Sequence, residues 1–152
     1  MPKASVKRLI ECNKSQLIDL VLDIEKYPEF VPFCLDSHVY KKKDEGELML
    51  IIADLTIGKG PFKDTYKSDV VFNKKEDSIF VKNIDGPLNH LSNNWSFFDK
   101  KNGITEVTFD IDFEIKNKFL NSLMVVSFQF GLEKIADAFQ KRAEELFSNS
   151  KN

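Results

Sequence analysis

The apolar and polar positions divide the chain into a short opening segment, a long β region and a C-terminal helix. Residues 4–11 alternate as a β-strand does. The following segment predicts a helix that Asn13 or Ser15 can cap and that ends before Pro28, because proline interrupts helical hydrogen bonding. The apolar stripe of this helix is formed by Leu17, Ile18, Val21, Leu22 and Ile24.

From about residue 35 to residue 115 the pattern is that of β-structure broken by turns. Turn-forming residues occur at 44–46, 58–61, 73–77, 85–87 and 102–103. Six strands fit between these turns, and the opening strand makes seven. Because the connections are short, we expect an antiparallel meander.

Alternation along the strands predicts which side chains face inward. In the last strand the apolar side chains Val107, Phe109, Ile111, Phe113 and Ile115 alternate with polar ones. By the same parity Asn93 shares an inward face with Leu91, Trp95 and Phe97, and Tyr66 shares one with Ser68, Val70 and Phe72. A core packed only with side chains seldom accepts polar groups such as Asn93 and Tyr66 without partners. A cavity that holds a polar-headed ligand or water would accept them.

The segment from about residue 119 to residue 147 predicts one long helix. Its apolar positions follow the helical period at Leu120, Leu123 or Met124, Phe128, Leu132, Ile135, Phe139 and Leu146. No charged residue lies between Lys118 and Glu133, so the first half needs cover on all sides. We therefore expect one α+β domain over residues 1–152. Its curved seven-stranded antiparallel sheet surrounds the long helix, and two short helices at 14–24 and 26–32 follow the first strand and close one end.

Composition favours a dry interior over a nucleic-acid surface. Among 152 residues there are 14 Phe, one Trp and three Tyr, and phenylalanine needs no hydrogen-bond partner when buried. The net charge of −2 gives no general attraction to DNA, and only Arg8 and Arg142 are arginines. Cys12 and Cys34 form no Cys-x-x-Cys motif, which indicates a reducing compartment. Without a spanning apolar run, we expect a soluble, cytoplasmic protein.

The sequence contains no arrangement that is typical of catalysis. His38 and His90 have no neighbours at metal-ligand spacing, and Asp110 and Asp112 face outward by parity. There is no nucleophile elbow and no phosphate-binding loop. We therefore expect a protein that is not an enzyme, with no catalytic residue, metal or cofactor.

The most informative segment is the run from Asp23 to Cys34, which contains three aromatic residues between and around two prolines. Pro28 and Pro32 stiffen the backbone, so the aromatic rings are held on a short rigid turn. Two interpretations are open. The rings form the wall of an apolar cavity, or they form a plug that packs beneath the sheet.

This run resembles the signature of the coenzyme Q-binding proteins of the START (polyketide cyclase/dehydrase-like) superfamily. Residues 86–91 together with 94–97 resemble that family's second motif, and residues 138–143 resemble the end of its last helix. The resemblance implies a helix-grip fold. Two positions depart from the family pattern, since members often have Trp at the position of Phe33 and a basic residue at that of Asn94.

The resemblance implies binding of ubiquinone, or of a related isoprenoid lipid, as a bound ligand that is delivered to membrane enzymes. It implies transient contact with the inner membrane and peripheral localisation there. A bacterial branch of the family is described as a toxin that binds the large ribosomal subunit. We rank that role second because acidic residues outnumber basic ones, 24 to 22, whereas RNA binding favours a cationic face. A cyclase or dehydratase ranks third, since it would need a positioned acid or base.

For the ligand role, bulk and inward parity select a set of contact residues: Phe30, Val31, Phe33, Leu55, Tyr66, Asn93, Trp95, Phe113, Met124 and Phe128. Tyr66 and Asn93 are the predicted contacts of a quinone head. For ligand access and membrane contact the predicted residues are Ile57, Phe62, Phe119 and Leu120. In the alternative interpretation, the turn near Ile57 and Phe62 and the helix start at Phe119 and Leu120 only pack on each other.

Overall fold

A computed structural model of the protein describes residues 3–59, 62–85, 88–116 and 118–148. Within these ranges, the side chains at positions 59, 62, 85, 88, 89, 115, 119–130 and 148 are outside the description. The predicted ligand contacts Met124 and Phe128, and the predicted access residues Phe62, Phe119 and Leu120, have their side chains among these positions.

Seven antiparallel strands form one sheet, as the turn spacing predicts. The strands are β1 (Lys3–Ile10), β2 (Cys34–Glu45), β3 (Leu48–Lys59), β4 (Phe62–Asn73), β5 (Ser78–Asp85), β6 (Leu88–Asp99) and β7 (Thr105–Ile115). Their order in the sheet is β1-β7-β6-β5-β4-β3-β2. Strands β2 to β7 therefore form a meander, and β1 joins its far edge beside β7. This is the curved sheet of the helix-grip fold, and the predicted fold class is confirmed.

Two helices and short helical turns complete the chain. Helix α1 (Lys14–Leu22) is followed by a 3₁₀ turn at Ile24–Glu29, and helix α2 (Lys118–Ala143) passes into a wider helical turn at Glu144–Ser148. A further 3₁₀ turn lies at Lys101–Gly103. Asn13 caps α1, and its backbone N–H donates to Gln16 Oε1 at 3.0 Å. The predicted apolar stripe is buried at Leu17, Ile18, Val21, Leu22 and Ile24.

The described half of α2 packs onto the inward face of the sheet. Leu132, Phe139 and Ala143 are buried there, in one cluster with sheet residues that include Trp95 and Phe97. Arg8 on β1 also donates a hydrogen bond to Asp137, which ties the helix to the edge of the sheet. The second half of the helix therefore contributes one buried face to the core.

A buried hydrogen bond and an ion-pair cluster attach helix α1 to the sheet. Thr105 Oγ1 donates to the carbonyl of Cys12 at 2.7 Å. Lys14 Nζ lies 2.7 Å from Asp77 and 3.3 Å from Asp99, and the hydrogen bond to Asp77 is the main cause of its raised pKa. These contacts hold the segment before the proline turn in place.

Several polar residues lie at the surface of the sheet. His38 and Asp110 are exposed on the outer side, and Lys41, Lys42 and Lys43 lie on the edge strand β2, where lysines discourage pairing with other chains. Both cysteines are buried, and neither forms a disulfide. Within the described part of the chain, none of the helices combines the length and apolar character that a membrane span requires.

One strained residue links the proline turn to α2. Phe33 has φ 69°, which is unusual for a residue with a side chain, and its carbonyl accepts a hydrogen bond of 2.9 Å from Gly58 N. Its ring lies beside Gly131, where an added Cβ would be 3.9 Å from Phe33 Cε2. That distance is an ordinary van der Waals contact, so Gly131 is not required by sterics.

We expect Gly131→Ala to stabilise the protein by about 0.5–1 kcal/mol, because alanine has the higher helix propensity and fits the available space. The free energy of unfolding in urea measures the effect. Gly46→Ala is the matched control. Gly46 has φ 79° and open space around it, so the same methyl group should destabilise the protein by about 1 kcal/mol through backbone strain alone. A loss of stability in Gly131→Ala would show that the Phe33 contact does not tolerate a methyl group.

Candidate functional site

The inward face of the sheet carries two apolar clusters. The larger one contains Trp95, Phe97 and Phe109 together with α1 and the second half of α2. The smaller one consists of Tyr66, Leu91 and Phe113. Leu55 and Ile111 are partly buried and contact both clusters, so they mark the boundary between them.

Residues on four strands form the smaller cluster and its border. Leu55 on β3 is in register with Tyr66 on β4, and Leu91 on β6 is in register with Phe113 on β7. Strand alternation alone places these side chains on one face, and their burial confirms the predicted parity. The structure thus brings together three of the predicted ligand contacts, Leu55, Tyr66 and Phe113.

Neutral polar groups lie among these apolar side chains. Ser68 is fully buried and donates through Oγ to the carbonyl of Ala53 at 3.2 Å. Asn83 Oδ1 accepts a hydrogen bond of 2.9 Å from the backbone N–H of Leu91. Asn93 Oδ1 is buried, and no described residue donates a hydrogen bond to it. Asn83 is absent from the predicted set. It shares strand parity with the buried Ile79 and Val81, which could have identified it.

Burial keeps the titratable groups beside this cluster protonated. It raises the pKa of the Tyr66 hydroxyl well above its usual value, and the nearby Cys34 adds to the shift. It also raises the pKa of the Cys34 thiol to about 11, although hydrogen bonding with the backbone of Asp36 acts in the opposite direction. At neutral pH both groups are therefore uncharged.

The proline turn packs into the larger cluster. Tyr27 and Phe30 each meet the ring of Phe139 edge-on, at centroid distances of 5.4 and 5.1 Å. The Tyr27 hydroxyl donates to the Val21 carbonyl, which anchors the turn to α1. Val31 is partly buried against the same cluster. The contacts of Tyr27 and Phe30 agree with the interpretation that these rings form a plug beneath the sheet.

Arg142 fixes this turn from the side of α2. Its Nη2 lies 2.8 Å from Glu29 Oε1, and its guanidinium lies over the Phe30 ring at 5.2 Å. An arginine can make both contacts at once, because its planar guanidinium stacks on an aromatic ring while its N–H groups donate to a carboxylate. The pair joins positions 113 residues apart.

Trp95 lies in the packed part of the interior. Its ring centroid is 4.2 Å from that of Phe109 and 5.1 Å from that of Phe139. It borders an apolar cavity of about 20 Å³ that is also lined by residues including Phe139 and Ile135. Such a volume matches about one water molecule and is far too small for a lipid.

Exposed apolar side chains lie where β2 begins and β3 ends. Phe33 and Ile57 are each 37% exposed, and Leu35, the second residue of β2, is 50% exposed. Cys34 is in register with Ile57, which places Phe33 and Ile57 at the same end of the sheet. The predicted contact Phe33 and the predicted access residue Ile57 are therefore close in the fold.

Comparison with known proteins identifies the family. Residues 10–140 match the family described as polyketide cyclase / dehydrase and lipid transport. The chain belongs to this family. A START superfamily protein from Mycobacterium smegmatis has the same fold, with a TM-score of 0.80 and 18% identity over 95% of this chain and 98% of that one.

Two relatives of known name correspond to the two roles that the resemblance implies. The ribosome association toxin RatA of Rickettsia prowazekii is 29% identical over 142 residues, which cover 91% of this chain and 94% of that protein. The mitochondrial coenzyme Q-binding protein COQ10 of Dictyostelium discoideum is 33% identical over 139 residues, which cover 90% of this chain and 66% of that protein. The chain is thus similar to both branches of the family.

The raised pKa of Cys34 predicts slow alkylation, because the thiolate is the reactive form. In a Cys12→Ala background, iodoacetamide should react at pH 8 about a hundredfold more slowly than with a free thiol. The rate should rise about tenfold per pH unit until the pH approaches about 11. In denaturant the profile should level off near 9.0, the ordinary value. A folded-state profile that also levels near 9.0 would contradict the burial of this thiol.

Proposed function

We propose that this protein binds ubiquinone, or a related isoprenoid quinone, against the Tyr66–Leu91–Phe113 cluster, and that it carries the ligand without transforming it. The observation that carries this proposal is the set of neutral polar groups, Tyr66 and Asn93, at an otherwise apolar part of the inward face. An uncharged head with a few oxygen atoms suits such groups. The similarity to a coenzyme Q-binding relative supports the same ligand class.

The physical chemistry of the cluster favours an isoprenoid tail. Burying apolar surface contributes about 25 cal/mol per Å², so a long tail can bind without hydrogen bonds. Leu55, Leu91, Ile111 and Phe113 offer only hydrocarbon surface for it. The hydroxyl of Tyr66 and the amide of Asn93 then orient the head.

The same residues argue for carriage rather than catalysis. A general acid or base works best with a pKa near the operating pH. The pKa of Tyr66 is shifted away from neutrality by burial, and so is that of Cys34. Ser68 and Asn83 are engaged with backbone groups. Among the described residues at this site, these shifts and hydrogen bonds favour binding.

Delivery would occur at a membrane surface, through the end of the sheet that exposes Phe33, Leu35 and Ile57. Exposed apolar side chains of this kind insert into the region between lipid head groups and tails. Phe62, Phe119 and Leu120 belong to the same proposed access region by their sequence positions. Lys63 on β4 pairs in register with Gly58, which puts a cation beside the patch. The proposed location is cytoplasmic and peripheral at the inner membrane.

Tyr66→Phe should weaken binding of a short-chain ubiquinone about two- to tenfold, because one neutral hydrogen bond is lost while the ring is kept. Quenching of the fluorescence of Trp95, the only tryptophan, provides a titration signal. Tyr40→Phe is the matched control. Tyr40 is 55% exposed on the outer side, and its hydroxyl donates to Asp54, so its removal should leave the affinity unchanged.

Equal affinity in wild type and Tyr66→Phe would show that this hydroxyl does not contact the head. Mass spectrometry of an organic extract of the purified protein tests the ligand class itself. A quinone in the extract is the expected result. The proposal would be overturned if quinone bound neither to the isolated protein nor to the lipid-loaded protein.

Binding to the large ribosomal subunit is the second candidate function, and the match over 94% of a ribosome association toxin favours it. Against it, both arginines are used within the fold, by Asp137 and by Glu29. RNA recognition relies strongly on such free guanidinium groups. We therefore expect no co-sedimentation with purified large subunits at physiological salt. Stoichiometric co-sedimentation that falls steeply as salt is raised would support the toxin-like role instead.

A further inference from the structure

The amide of Asn93 lies where apolar side chains would be expected. On β6 it stands between Leu91 and Trp95, which are both buried on the inward face. Across the sheet it is in register with Ile111 on β7 and with Val81 on β5. Asn93 is therefore at the border of the two clusters, with hydrocarbon neighbours on both strands.

The buried oxygen of this amide needs a hydrogen-bond donor. Among the described residues no group donates to Oδ1. The Leu91 N–H, two residues away on β6, is directed to Asn83. A buried acceptor without a partner is destabilising, although an unpaired oxygen is tolerated better than an unpaired N–H. A ligand that donates to Oδ1 recovers this free energy.

The other buried polar atoms without hydrogen bonds have a different explanation. His90 Nε2 lies 3.5 Å from Asp112 Oδ2 in an ion pair, and Lys3 also faces that carboxylate. Arg142 Nε belongs to a guanidinium that already binds Glu29. These groups have charged partners, whereas Asn93 is a neutral amide among apolar neighbours.

The oxidised and reduced forms of a quinone differ in this property. A quinone carbonyl only accepts hydrogen bonds, whereas the hydroxyl of a hydroquinone or of a phenol both donates and accepts. Asn93 Oδ1 can receive the donated hydrogen, and the Tyr66 hydroxyl can serve another oxygen of the ring. A site that offers an unpaired acceptor discriminates in favour of the ligand with a donor.

We propose that Asn93 makes the site selective for the hydroxyl-bearing form of the ligand, a hydroquinone or phenolic isoprenoid, over the oxidised quinone. This inference rests on the proposed function, because it names which chemical form that site prefers. The protein itself performs no redox step. It would hold the ligand in the form that a reducing reaction, or a reaction that builds the phenolic ring, releases.

The test compares three probes with the same short isoprenoid chain under anaerobic conditions: the quinone, the hydroquinone and the hydroquinone dimethyl ether. Trp95 fluorescence reports the three dissociation constants. Wild-type protein should bind the hydroquinone about three- to tenfold more tightly than the quinone, which is the range of one hydrogen bond. The dimethyl ether, which has no donor, should not show this gain.

Asn93→Leu should bring the ratio of the two affinities to about one. Asn94→Leu is the matched control, because Asn94 is exposed on the outer face, and it should keep the wild-type ratio. Circular dichroism and thermal unfolding verify that both variants are folded.

The outcomes separate the two proposals. Equal binding of quinone and hydroquinone by the wild type would overturn the selectivity and leave the proposed function intact. A preference that persists in folded Asn93→Leu would also overturn it, since the donor would then bind elsewhere. If none of the three probes binds to the wild type, the proposed function itself fails.

Discussion

The aromatic contacts of Phe139 are the interaction on which the rest of the interior depends. Its ring is 3% exposed and meets Tyr27, Phe30 and Trp95 edge-on, at centroid distances of 5.4, 5.1 and 5.1 Å. Each such pair contributes about 0.5–1.5 kcal/mol beyond burial of area. One side chain thus joins the proline turn, the sheet and α2. Arg142 reinforces the same joint one turn later.

This joint bears on where the proposed ligand site lies. The described side chains around Trp95 pack closely, and a cavity that they line is about 20 Å³. Among the described residues, the Tyr66–Leu91–Phe113 cluster shares with that packing only the partly buried Leu55 and Ile111. The role of Phe30 and Trp95 as ligand contacts stays a prediction, but their packing gives them a structural role in any case. The family motif around residues 23–34 therefore contributes Tyr27 and Phe30 to the packed part of the inward face.

Much of the fold could be predicted from the sequence because alternation and turns are local signals. The inward parity of β7 and the apolar stripe of α1 are examples, and both are confirmed. Other aspects depend on contacts between distant residues. The pairing of Arg142 with Glu29 spans 113 positions, and no local pattern indicates it. The positive φ of Phe33 also has no sequence signal, since left-handed backbone is ordinarily expected at glycine or asparagine.

The two roles in the family make opposite demands on charge, and this chain's charges favour one of them. Phosphate recognition uses free cationic groups and becomes weaker as salt screens or replaces them. Here Arg8 and Arg142 are bound within the fold, and the groups at the candidate site are a neutral amide, a phenol and hydrocarbon. Burial of apolar surface supplies affinity that ordinary salt concentrations hardly change, and a hydrogen bond between neutral groups supplies direction. The selectivity proposed for an uncharged lipid therefore rests on apolar burial and on a hydrogen bond from a ligand hydroxyl to Asn93.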